Sequence, residues 1–177
     1  MPRTTKRICL YAMGVALFVA LTMCVQAPVF ENYYLCLGYA VIAVYCFSFG
    51  PAAGALVGSA GTVLYCLLTS GLRGMPGWAL GNAVIGVMLG VAFRALKAVN
   101  RRALRRALQA LAVIAASACG VLVVKSLVEC ALYSHPFLFR AAKNVYAFIA
   151  DAAVLLVSLP MCEKLDASLH QYTNEPS

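Results

Sequence analysis

In an otherwise apolar chain, Lys125 and Glu129 stand four residues apart, and Arg140, Asn144 and Asp151 follow the spacing of one helical stripe that also passes through Ala147. Positions three, four or seven apart share a helix face. An ionisable group inside a membrane is costly and turns toward a cavity or a partner. Two kinds of chemistry are therefore open to this set. Lys125 and Glu129 can neutralise one another, with Lys125 also the candidate partner for Asp151 near mid-membrane, or the groups, with Lys143 beside them, can converge on a small polar ligand. The stretch GLRGMPGWALGN, Gly71 to Asn82, adds Arg73 in a glycine-rich loop, Trp78, and Asn82 roughly 7 Å further inward by helical rise. Asn32 and Tyr34, with Tyr33, occupy an earlier polar break; His135, Tyr133 and Tyr146 flank a later one. Such rings either form an interfacial belt or offer stacking surfaces for a flat ligand in a pocket with a few polar groups.

Other chemistries have no sequence to carry them. The chain lacks the G-x-x-x-x-G-K-[ST] phosphate loop and the H-E-x-x-H metal motif. Its histidines are His135 and His170 alone, and no Ser/His/Asp order presents itself. The eight cysteines contain no CxxC pair and fall mostly inside apolar runs, where Cys packs as a small hydrophobe. The reading is a protein without catalytic residues, metal site or cofactor.

The elements that must hold these groups are membrane helices. With 63% hydrophobic and 11% charged residues over 177 positions, and a mean hydropathy of +0.87, there is too little polar surface to cover a soluble globule. About 20 apolar residues make a span, which leads to an all-α protein of six transmembrane helices in one bundle over residues 1–165, followed by a polar tail at 166–177. The apolar runs are about Arg7 to Gln26, Leu35 to Phe49, Ala52 to Thr69, Trp78 to Leu96, Leu108 to Tyr133 and Phe139 to Leu159. Pro28 is expected to end the first, Gly50-Pro51 to separate the second and third, and Pro160 to end the last. Arg3, Lys6 and Arg7 before an apolar run resemble a signal peptide, but Pro28 after the candidate cleavage site and the length of the run favour a retained helix.

Six spans place both termini on one side. Arg3, Lys6, Arg7, Arg94, Lys97, Arg101, Arg102, Arg105, Arg106 and Lys164 then share that side, and the positive-inside rule makes it cytoplasmic. The formal charge of +8 is topogenic on this reading, and nucleic acid is no partner. Arg73, Lys125, Arg140 and Lys143 are the exceptions, on the outer half where topology asks for no cation.

Small residues recur at helix-packing spacing: Ala12, Ala16 and Ala20 on the first helix, Gly50, Gly54, Gly58 and Gly61 on the third, and Gly77, Gly81, Gly86 and Gly90 on the fourth. The glycines read as internal packing, and the alanine stripe as equally suited to docking a separate subunit. With these features the chain resembles the substrate-binding S components of energy-coupling factor (ECF) vitamin transporters. The likeness rests on the six-span size, the Ala12–Ala16–Ala20 stripe, "LGYAVIAVYCFSFGPAAGALVGSAGTVLYCLL" from Leu37 to Leu68, and "PGWALGNAVIGVMLG" from Pro76 to Gly90. It extends over about Ala12 to Phe93 and weakens beyond; Tyr39 stands where many riboflavin-type relatives carry Asp.

The resemblance implies a prokaryotic plasma-membrane subunit that captures a vitamin at the outer face and carries it to the cytoplasmic face by toppling in the bilayer. Two separate ABC ATPases use the ATP, and a transmembrane coupling subunit, the T component, docks on Ala12, Ala16 and Ala20. A pocket at the outer end is implied, and the residues expected to bind substrate are Asn32, Tyr34, Arg73, Trp78, Asn82, Lys125, Glu129, Arg140, Asn144 and Asp151. The alternatives are a structural membrane protein oligomerised by its glycine stripes, and a stand-alone proton-coupled carrier using Asp151 and Lys125.

Overall fold

The computed structural model describes residues 3–24, 26–30, 33–72, 74–134 and 136–174. Six helices in chain order build it: α1 (Arg3–Cys24), α2 (Gly38–Phe49), α3 (Pro51–Thr69), α4 (Met75–Leu96), α5 (Arg102–Tyr133) and α6 (Phe137–Asn174). Five are long and apolar enough to cross a membrane, and α2 is a shorter apolar helix. Its 12 residues rise only about 18 Å, against a hydrocarbon core of about 30 Å. Tyr39, Val41, Ile42, Ala43, Tyr45, Cys46 and Phe47 of α2 are all buried, so this segment is a central strut wrapped by the others rather than a full span.

The shortening of α2 has a local cause. Residues expected to begin it belong instead to an antiparallel hairpin, β1 (Gln26–Phe30) paired with β2 (Tyr33–Cys36), whose register shifts between Pro28 and Phe30. Pro28 lacks a backbone donor and sits at this irregularity, where a missing ladder bond is least costly.

Two further boundaries differ from expectation. Helix α6 does not end at Leu159: it passes through Pro160 and continues to Asn174, taking in the segment read as a polar tail. One interrupted backbone bond is tolerable in a membrane helix that neighbours and local side chains support, and the Ser158 hydroxyl donates to the Val154 carbonyl at 2.6 Å one turn earlier. Helix α5 begins at Arg102, so its basic residues lie on the helix itself, and it contains a π-helical stretch, Ala118–Lys125, between the α-helical stretches Arg102–Ser117 and Ser126–Tyr133.

Glycines set the closest crossings. A Cβ on Gly86 of α4 would collide with the backbone of Gly54 and Ala55 in α3, and one on Gly90 with Pro51. A Cβ on Gly81 would come within 2.7 Å of the Gly120 carbonyl in the π stretch. The glycine stripes of α3 and α4 are thus consumed within the bundle. On α1, Gly14, Phe18 and Thr22 face inward against α2 and α3, whereas Ala12, Ala16 and Ala20, about 200° away round the helix by pitch, are exposed. Buried Cys36, Cys46, Cys66 and Cys162 help to fill the core.

Candidate functional site

The polar residues gather at two levels of the bundle half formed by the ends of α3 and α5 and the beginnings of α4 and α6. At the deeper level a hydrogen-bonded chain links three helices. Trp78 Nε1 donates to the Tyr39 hydroxyl at 3.0 Å, Tyr39 donates to Asn82 Oδ1 at 2.8 Å, Asn82 Nδ2 donates to Thr62 Oγ1 at 2.7 Å, and Thr62 donates to the Gly58 carbonyl at 2.7 Å. Each hydroxyl accepts once and donates once, so the chain has a single direction, and it fixes the amide orientation of Asn82. Tyr39, Asn82 and Thr62 are almost wholly buried, and Tyr65 meets Trp78 edge-on at 5.6 Å. Asp151 of α6 is buried beside this chain, close to the Tyr39 hydroxyl and with the Lys125 charge acting on it.

The shallower level is a cavity of about 380 Å³ lined by Gly74, Glu129, Tyr133 and Arg140. That volume lies in the range of small-molecule sites. Glu129 is buried; its Oε2 accepts from Asn144 Nδ2 at 3.3 Å and lies 4.0 Å from Arg140 Nη1. Asn144 also donates to Ser126 Oγ at 3.0 Å. The Arg140 guanidinium sits over the Tyr133 ring, Cζ to centroid 5.7 Å, and its buried Nε has no hydrogen-bond partner among the described residues. Close approach of α4 is what brings these elements together: a Cβ on Gly77 would stand 3.2 Å from the Lys125 carbonyl and 3.3 Å from Glu129 Cγ. The π stretch contributes as well. A π turn holds an extra residue, which rotates the face carrying Ser126 and Glu129 relative to the preceding stretch, and both residues meet Asn144.

Of the residues singled out from sequence, Glu129, Arg140 and Asn144 converge at the cavity, while Trp78, Asn82, Asp151 and Lys125 belong to the deeper level. Asn32, Arg73 and His135 lie outside the described residues, and Tyr34 is described only as a β2 backbone position opposite Pro28. Tyr146 is exposed. Glu129 takes Asn144 and Arg140 from across the α5–α6 contact as partners, a pairing that the four-residue spacing to Lys125 did not suggest. Sequence reading missed Tyr39, Thr62 and Ser126 as members of these networks. A Tyr in an apolar run reads as core, and Thr or Ser in a membrane helix reads as a residue bonded to its own preceding turn.

At the opposite end of the bundle lie the basic residues. Arg106 grips Glu163 with Nη2 to Oε2 at 2.6 Å, Arg102 approaches the same oxygen at 3.8 Å, and Lys97 lies over the Phe47 ring at 5.6 Å.

The chain has relatives among known proteins. A UPF0397 protein of Lactococcus lactis subsp. cremoris (strain NZ9000) is 36% identical over 90 residues, 49% of this chain and 48% of that protein. The UPF0397 protein YdcD of Lactococcus lactis subsp. lactis (strain IL1403) is 36% identical over 89 residues, 49% of this chain and 47% of that protein. The chain thus spans about half the length of the curated relatives it matches. No solved structure matches. The family model described as ECF-type riboflavin transporter, S component, matches residues 3–166, and so this multi-pass membrane protein belongs to that family of transporter subunits.

Proposed function

We propose that the chain captures a vitamin or related micronutrient from outside the cell, in the cavity between α4, α5 and α6, and delivers it for import driven by a T component and two ABC ATPases. The observation that carries this reading is the cavity lined by Gly74, Glu129, Tyr133 and Arg140, at the end of the bundle opposite the basic residues. The positive-inside rule turns the basic end to the cytoplasm and therefore the cavity outward. Tyr133 supplies an aromatic wall, Glu129 an acceptor and Arg140 a donor, a set suited to a flat, polar molecule. Riboflavin, named in the family description, is the first ligand to test.

The structural-oligomer reading loses its main support, because the glycines of α3 and α4 that would join copies already pack against each other. The exposed Ala12, Ala16 and Ala20 leave α1 as the surface on which a T component would dock.

The test is co-expression with candidate T components and ATPases, affinity purification, and mass spectrometry of retained small molecules. Recovery of a micronutrient together with the partner subunits is expected. Purified protein carrying neither a small molecule nor a partner would overturn the proposal.

A further inference from the structure

The bundle end opposite the cavity carries six cations in thirteen residues: Arg94 and Lys97 at the end of α4, and Arg101, Arg102, Arg105 and Arg106 at the start of α5. Three of them have seats within the bundle. A Cβ on Gly50, at the turn between α2 and α3, would strike the Arg94 guanidinium; Lys97 lies over the Phe47 ring; and Arg106 donates to Glu163 of α6 through both Nε and Nη2. Arg102 and Arg105 make no hydrogen bond among the described residues. Arg102 Nη2 stops 3.8 Å from Glu163 Oε2 with its side chain 72% exposed, and Arg105 acts on Glu163 through its charge. Three arginines thus meet one carboxylate and leave a surplus of two positive charges. Orientation in the membrane asks for cations on this side. It does not ask for their convergence on one helix turn.

Depth and shape suit a lipid. The 32 residues of α5 rise about 48 Å, close to the about 40–45 Å of a bilayer with its headgroup layers, so the first turn of α5 stands at the level of the lipid phosphates. Arg102 and Arg105, three apart, share a helix face, and Leu104 and Leu111, seven apart, form an exposed apolar edge beside it. Guanidinium groups match phosphate oxygens, a basic cluster just cytoplasmic of a span attracts anionic lipid, and the leucine edge is where an acyl chain would run. We propose that Arg102 and Arg105 form a headgroup site for an anionic phospholipid of the cytoplasmic leaflet, with the Arg106–Glu163 pair fixing the start of α5 against α6. The site is separate from the capture cavity, at the other end of the bundle.

The test offers detergent-purified full-length protein equimolar phosphatidylglycerol and phosphatidylcholine with the same acyl chains, and reads bound lipid by native mass spectrometry. Wild type is expected to retain phosphatidylglycerol about tenfold over phosphatidylcholine. A prior wash in about 1 M salt, where the screening length is about 3 Å, should shrink that preference. Arg102→Gln combined with Arg105→Gln cancels the surplus charge while sparing the Arg106–Glu163 pair, and should bring the ratio to within about twofold of unity. Arg102→Lys with Arg105→Lys keeps the charge and should keep most of the preference. Arg102→Gln alone, at an exposed position, should give an intermediate ratio, and it serves should the double Gln variant fail to fold. Lys143→Gln, an exposed cation at the cavity end, should change nothing, which separates a local site from net charge.

Equal retention of the two lipids by wild type, a preference that the Gln variants leave unchanged, or one that Lys143→Gln abolishes as well, would overturn the headgroup site. Displacement of the lipid by inorganic phosphate would make the patch a site for soluble anions and overturn it too. Loss of T component and ATPase recovery in the double Gln variant, with lipid retention intact, would assign the patch to a protein partner instead.

Discussion

Tyr39 is the residue on which the deeper network turns. It accepts from Trp78, donates to Asn82 and stands against Asp151, so one hydroxyl serves α2, α4 and α6 at once. Removing it as Tyr39→Phe preserves the packing of the ring and strands the Trp78 N–H and the Asn82 carbonyl in an apolar setting. Leaving a buried polar group unpaired costs about 1–3 kcal/mol. Tyr39→Phe should therefore lower the unfolding midpoint in detergent and shift the fluorescence of Trp78, the chain's single tryptophan. An unaltered midpoint and spectrum would mean that the chain of hydrogen bonds adds nothing to the bundle. Sequence reading reached Asn82 and Asp151 because a polar residue in an apolar run is conspicuous, and Trp78 because of its place at the interface. It did not reach Tyr39 in this role, since an aromatic hydroxyl surrounded by Leu, Val and Ile looks like core until its partner from another helix is known. For the same reason the four-residue spacing of Glu129 from Lys125 left open whether the two pair, and gave no sign that Arg140 and Asn144 approach Glu129 from α6.

Among the elements, close packing of α3 against α4 rests on backbone contact. Gly86 approaches the backbone of Gly54 and Ala55 so nearly that no Cβ can be inserted without displacing a helix, and a backbone cannot swing aside as a side chain can. Overpacking of this kind costs about 1–3 kcal/mol or more. Gly86→Ala should lower thermal stability clearly, whereas Gly71→Ala, whose new Cβ would meet its nearest neighbour at an ordinary 3.5 Å, should leave it within error. Equal stability of the two variants would contradict this account of the α3–α4 contact. The spacing of these glycines was legible from sequence, and so was the number of helices. Their bounds were less so where the signal is hydropathy alone. The run from Leu35 to Phe49 is apolar throughout, yet its first residues enter a hairpin and only 12 residues form α2, because hydropathy reports burial and not backbone pitch. The π stretch in α5 and the passage of α6 through Pro160 are invisible on the same grounds: both are settled by what packs alongside.

For the molecule as a whole, the two faces of α1 divide the work. Gly14, Phe18 and Thr22 anchor it to the bundle: a Cβ on Gly14 would strike Tyr45 and Val57, and Phe18 packs against Gly61. The opposite face presents Ala12, Ala16 and Ala20 to the lipid, with Met13 and Leu17 alongside, also exposed. Lipid is no worse a solvent than Leu for such a face, so its flatness brings no benefit to the isolated chain. It becomes useful when another helix lies against it, because small residues let two backbones approach and gain dispersion contacts that lipid tails do not match. Ala16→Trp places an indole at the centre of that face. On an exposed face the ring has free space in the isolated protein, so folding and membrane insertion should persist. Ligand capture should persist as well, since the cavity is built from α4, α5 and α6 and receives nothing from this stripe. The assembly with a T component should fail, and uptake with it. Three readouts separate the outcomes: flavin binding by purified protein, recovery of the T component on the tagged subunit, and accumulation of labelled vitamin in cells. Retained binding with lost recovery and lost uptake is the expected pattern. Undiminished recovery of the T component would exclude α1 as the docking face, and simultaneous loss of ligand binding would mean that α1 supports the cavity through α2 and α3 rather than serving a partner.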